Sequence, residues 1–218
     1  MKKVLKELRN KLPFYHTIRN RRMVDKHKRE MFEWESVGCP APPPHLVKQR
    51  VLKEYAEKYD LKILVETGTK FGDMVYAMKD VFDTIYSIEL GQDLHEHAKR
   101  RFRKERNIIL IQGDSAEQLE NLVEELDQPV LFWLDGHYSG GVTALGSQVT
   151  PIFKELNYIF RDKNPGHVII IDDARLFRSD PDYPSMDELY EFINSKANYL
   201  QITEEHDSIR IVPKKEQS

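Results

Sequence analysis

Two apolar runs in this 218-residue chain stop on acids. "VLFWLDGHYSG" passes from Val130 to Leu134 and then to Asp135, Gly136 and His137; "VIIIDDAR" ends on Asp172 and Asp173. Short apolar runs of this kind read as buried strands. Neighbouring strands lie about 5 Å apart, so carboxylates at their ends converge. Like charges that close stay ionised only when something positive compensates them. Mg²⁺ suits the trio Asp135, Asp172 and Asp173, because it takes oxygen ligands and keeps several waters. His137, with an ordinary pKa of about 6.5, suits removal of a proton from a hydroxyl whose own pKa a metal lowers. The alternatives are structural. Asp172 and Asp173 can cap a helix or pair with Arg175 and Arg178, and His137 can be a hydrogen-bonded structural histidine. His95 and His97 are a poor ligand pair, since residues two apart on a helix face different ways.

Three other strand-like runs end on polar residues. "VETGTKFG" brings Glu66, Thr67, Gly68, Thr69, Lys70, Phe71 and Gly72. Gly68 can take a turn closed to other residues, and Gly72 lets the next helix approach. A helix starting there offers free N–H groups to a negative ligand group. The stretch is not G-x-G-x-x-G, because Thr69 and Lys70 leave only two glycines. "IYSIEL" ends on Glu89, 23 residues after Glu66. An acid there is placed to accept the hydroxyls of a ribose, although a plain strand-end acid looks the same. In "IQGDS", Asp114 and Ser115 can cap the following helix or bind an adenine amino group.

These residues need a scaffold that gathers strand ends. After Asp60, five apolar strands alternate with helical segments, and "YLQITEEHDSIRIVP" closes the chain as two short strands around a turn. The alternation predicts a doubly wound α/β fold: a mostly parallel seven-stranded sheet, helices on both faces and an antiparallel last strand. Ligands bind such sheets beyond the carboxyl ends of the strands. The prolines of "CPAPPPH" mark an extended linker, which separates a basic helical arm at 1–44 from the α/β domain at 45–218.

Hydrophobic residues at 40% and charged residues at 32% fit a globular chain. No apolar run is long enough for a transmembrane segment, and no signal-peptide core is evident. The single cysteine, Cys39, excludes an intrachain disulfide framework, and a cytoplasmic location is expected. Residues 1–30 hold eleven Lys and Arg against three acids, a net +8, which leaves −11 for the other 188 residues. The arm is either a solvated helical extension or a contact for an anionic surface or polyanion.

At "VETGTKFG", "IYSIEL", "IQGDS" and "LFWLDGHYSG" the sequence resembles the class I S-adenosylmethionine-dependent methyltransferases, over about residues 45–213. The resemblance implies that Glu66, Thr67, Gly68, Thr69 and Gly72 hold the methionine end of the cofactor, Glu89 the ribose, and Asp114 with Ser115 the adenine. "LDGHYSG" followed by "IDDAR" is similar, more narrowly, to metal-dependent sugar O-methyltransferases related to macrocin O-methyltransferase. That implies Mg²⁺ on Asp135, Asp172 and Asp173 and a small-molecule or glycan acceptor. Where this chain has His137, that group usually has an acid as base. The loop from Gly136 to Gly146 then reads as a mobile cover, and Arg175, Arg178 and Tyr183 as the opposite wall or an ordinary surface loop. Other classes remain open: an NAD-linked oxidoreductase, and a non-catalytic nucleotide-binding module docked by the arm. A hydroxylase on the same scaffold lacks a convincing two-His iron site.

Overall fold

The structure is a computed structural model and describes residues 26, 28–135, 151–161 and 166–214. The chain divides into two compact units, Met1–Lys48 and Gln49–Ser218. Within the first, a helical stretch over residues 28–36 buries Met31 and Trp34 with Val47, and the Trp34 indole N–H donates to the Pro40 carbonyl at 2.7 Å.

The second unit is built on one sheet of seven strands: β1 (Ile63–Thr67), β2 (Thr84–Glu89), β3 (Ile108–Gln112), β4 (Val130–Leu134), β5 (Val168–Ile171), β6 (Leu200–Glu205) and β7 (Ser208–Pro213). Their spatial order is β3-β2-β1-β4-β5-β7-β6. The pairs β1–β2, β1–β4, β2–β3 and β4–β5 are parallel, while β7 is antiparallel to both β5 and β6. The doubly wound expectation holds, antiparallel last strand included. That strand lies inside the sheet, and β6 forms the edge. The reason is apolar content: Ile209 and Ile211 are fully buried, whereas β6 exposes most of its side chains.

The helices are α1 (His45–Lys58), α2 (Asp73–Met78), α3 (Gln92–Phe102), α4 (Ser115–Glu124), α5 (Ile152–Ile159), α6 (Leu176–Ser179) and α7 (Met186–Lys196). Alternate residues of a strand face opposite sides, so each inner strand feeds two cores. Val65, Phe132, Ile169 and Ile211 pack with α4, α5 and α7. Leu64, Leu131, Trp133 and Ile170 pack with α1, α2 and α3. Burial on both faces explains why β4 and β5 are unbroken apolar runs and why β1 is buried throughout, Glu66 and Thr67 included. The order reverses between β1 and β4, which brings the exits of β2, β1, β4 and β5 side by side, the place where open α/β sheets bind ligands.

Candidate active site

The ladder between β4 and β5 assembles the three acids. Leu134 and Ile171 are register partners, and Asp135 and Asp172 are the next residues. The Asp135 N–H donates to the Thr67 carbonyl at 3.2 Å and the Asp172 N–H to the Leu134 carbonyl at 3.1 Å, so pairing extends into the exits. Asp173 turns out of the strand with a left-handed φ of 56°, a conformation that Asp tolerates better than most residues. One carboxylate oxygen from each of Asp135, Asp172 and Asp173 lies within 4.8 Å of the other two. Asp172 is buried; Asp135 and Asp173 are half-buried. Three convergent carboxylates are a donor set that fits a hard divalent cation.

The two arginines after β5 are both ion-paired. Arg175 donates to Asp173 Oδ1 at 2.8 Å and also pairs with the buried carboxylate of Asp207, which accepts the Arg175 backbone N–H at 2.8 Å. Arg178 makes a forked pair with Glu204 at 2.7 and 2.5 Å. The ion-pair reading thus holds for Asp173 with Arg175, while Arg178 is committed to β6. Tyr183 does adjoin the acids. Its ring meets Phe177 edge-on at 5.3 Å. Burial first, then the charges of Asp173, Asp180 and Asp135, hold its phenol proton on far above the ordinary range.

The glycine turn spends several of its own amides inside the protein. Gly68 and Thr69 donate to the Ile88 carbonyl at 2.9 and 3.2 Å, and Gly72 donates to the Thr69 carbonyl at 2.7 Å. The Lys70 N–H donates to Glu89 Oε2 at 2.7 Å. Four of the turn's N–H groups are therefore spent inside the protein, and α2 is a helix of only six residues. The turn closes on itself because Gly68 at φ 91° and Gly72 at φ 74° permit it. Gly72 also admits the Phe102 ring, 2.6 Å from where a Cβ would stand.

Carboxylates dominate what remains. Glu66 is 2% exposed and accepts from the Ser87 hydroxyl at 2.5 Å. Burial pushes its pKa up to about 8, opposed by the Ser87 hydrogen bond and reinforced by the charges of Asp135 and Glu89. Glu89 is buried and receives one backbone N–H on each oxygen, from Lys70 at 2.7 Å and Gly91 at 2.8 Å. Carboxylate oxygens accept more than one hydrogen bond, so both can still meet a diol. Asp114 is the N-cap of α4, accepting from Ala116 N–H at 3.0 Å, which is the capping role read from sequence. The Gly113 N–H donates to the Glu89 carbonyl at 3.0 Å, so Asp114 and Ser115 follow the exit beside Glu89.

Thr67 is buried at the end of β1, and Thr69 is buried in the turn with its hydroxyl 2.6 Å from that of Ser87. His137 and the loop to Gly146 lie outside the described residues. His95 is buried on α3, whereas the exposed His97 rests against Phe71 with ring centroids 6.3 Å apart, so the two do not act as a ligand pair. Sequence reasoning missed Ser87 and Asp207. For Ser87 the signal was a lone hydroxyl inside an apolar strand; for Asp207 it was an acid in a two-residue turn, His206 and Asp207, both with positive φ.

No protein-family model and no curated protein matches the chain. Solved structures do. An O-methyltransferase from Bacillus cereus bound to S-adenosylhomocysteine is similar at a TM-score of 0.60 and 14% identity, covering 86% of this chain and 90% of that one. The O-methyltransferase TomG of tomaymycin synthesis from Streptomyces achromogenes, bound to S-adenosylmethionine, gives 0.58 and 14%, covering 85% and 87%. The S-adenosylhomocysteine-bound methyltransferase PaMTH1 from Podospora anserina gives 0.57 and 14%, covering 93% and 98%. This chain has the fold of the S-adenosylmethionine-dependent methyltransferases.

Proposed function

We propose that this chain is an S-adenosylmethionine-dependent O-methyltransferase acting on a hydroxyl of a sugar, glycan or secondary metabolite, with Mg²⁺ assistance. One observation carries the reading: the exits of β1, β2 and β4 present Glu66, Glu89 and Asp135, while four amides of the glycine turn are already hydrogen-bonded. A set of strand-end carboxylates beside a turn with four amides already spent suits a cofactor with a sulfonium and an ammonium. It opposes a pyrophosphate, which needs those amides, and this favours the methyl donor over NAD.

Glu89 would accept the ribose hydroxyls. Asp114 and Ser115 would border the adenine, and Glu66, Thr67, Gly68, Thr69 and Gly72 the methionine end. Asp135, Asp172 and Asp173 would hold the metal. When bound, the cofactor supplies an electrophilic methyl group and the metal a Lewis acid that lowers the acceptor's pKa. His137 would take the acceptor's proton. The Tyr183 phenol, kept neutral, is a hydrogen-bond donor beside the acids and suits an acceptor oxygen.

Release of S-adenosylhomocysteine across a panel of sugar, glycan and phenolic acceptors tests this. Release that requires an acceptor and stops in EDTA is expected. Reduction of NAD by an alcohol, with no methyl transfer to any acceptor, would overturn it.

A further inference from the structure

We propose that Ser87 and Thr69 are positioning residues: their hydroxyls form a relay that fixes the Glu66 carboxyl as the recognition point for a cationic group of the bound cofactor. The inference rests on the methyltransferase reading and concerns how the site tells a charged methionine tail from a neutral one.

Glu66, Ser87 and Thr69 come from β1, β2 and the glycine turn, and all three are buried. Glu66 and Ser87 are register partners on adjacent parallel strands, so their side chains share a face. Ser87 has one proton, and it goes to Glu66 Oε2 at 2.5 Å. The 2.6 Å contact between the two hydroxyls must then be filled by the Thr69 proton. Both hydroxyls therefore point toward the carboxyl, and a bound ammonium would favour its ionised form, to which hydrogen bonds are stronger.

The relay also ties the turn to the strand. Gly68 and Thr69 donate to the carbonyl of Ile88, the residue after Ser87. Among the described residues no hydrogen bond reaches Glu66 Oε1, which leaves that oxygen for a donor. An ammonium is a donor without acceptor capacity, and it meets Oε1 directly or through one water. A neutral ligand without that group gains nothing from the relay.

The test compares two probes by calorimetry. S-adenosylhomocysteine carries the ammonium; methylthioadenosine keeps the adenosine and thioether but lacks the amino-acid tail. Ser87→Ala and Thr69→Val break the relay at its middle and its start. S-adenosylhomocysteine should bind each variant ~10-fold more weakly, the scale of one charge-assisted hydrogen bond, while methylthioadenosine stays within about two-fold. Ser87→Thr, which keeps the hydroxyl, should restore the discrimination. Equal weakening of both probes would overturn the inference, since the hydroxyls would then only hold the turn. No change in either would overturn it too. Failure of the unmodified protein to bind either nucleoside would instead overturn the methyltransferase reading beneath it.

Discussion

Asp135 and Asp172 follow directly on the register partners Leu134 and Ile171, and with Asp173 they bring one carboxylate oxygen each to within 4.8 Å of one another. Adjacent parallel strands place Asp135 and Asp172, and the turn after β5 places Asp173. A cation held there should feel the loss of either acid. Asp135→Asn and Asp172→Asn are each expected to weaken Mn²⁺ or Mg²⁺ binding, read by calorimetry, by at least about 10-fold, the lower end of what even an indirect partner of a metal ligand costs. Full methyl transfer in EDTA would remove the metal from the reaction.

Glu66 makes stability fall with rising pH in the cofactor-free, metal-free protein. Its pKa is about 8 in the fold against an ordinary 4.5, so between those values the folded state binds more protons than the unfolded state. Stability from this group is complete below its unfolded pKa and is lost as pH climbs toward the folded value. The slope contributed is at most about 1.4 kcal/mol per pH unit. Denaturant melts at pH 5, 6, 7 and 8 (~1-unit steps across the window) should show a flatter profile for Glu66→Gln. Parallel profiles for the two proteins would contradict the raised pKa.

Gly72 is fixed by two demands at once. Its φ is 74°, and a Cβ would stand 2.6 Å from Phe102 Cε2 and 3.0 Å from Cζ. Gly72→Ala should destabilise by roughly 1–3 kcal/mol, from backbone strain plus overpacking. Adding Phe102→Leu should recover part of that loss in the denaturant midpoint, because it removes the ring but not the strain. No recovery would assign the whole effect to φ.

Most of the scaffold was legible because it is repetitive. Inner strands buried on both faces read as apolar runs, and acids at their ends stand out against them. Register was not legible. The pairing of Glu66 with Ser87, rather than with a neighbour of Ser87, fixes which hydroxyl reaches the carboxyl, and no local pattern in "IYSIEL" announces it. Insertion of β7 between β5 and β6 was hidden for the same reason: both final strands are short and sequential, and only burial of Ile209 and Ile211 separates the inner from the edge strand. The fates of Arg175 and Arg178 followed from that placement, since Asp207 and Glu204 arrive on the β6–β7 hairpin. The glycine turn was half-legible: its glycines were read, its internal hydrogen bonds were not. A sequence shows which amides exist but not that Ile88 and Glu89 already accept them.

His137→Ala separates chemistry from binding. A general base typically contributes about 10²–10⁴ in rate, so kcat should fall on that scale while affinity for S-adenosylhomocysteine is unchanged. Single-turnover methyl transfer reads the first and calorimetry the second. Unaltered turnover would remove His137 from the reaction.

The most direct measurement is calorimetric binding of S-adenosylmethionine, S-adenosylhomocysteine and NAD to the unmodified protein and to Glu89→Ala. Both methionine-derived ligands should bind the unmodified protein, NAD should not, and Glu89→Ala should lose most of the affinity. Preferential binding of NAD, or affinity untouched by Glu89→Ala, would contradict a site built from strand-end acids for a cationic, ribose-bearing cofactor.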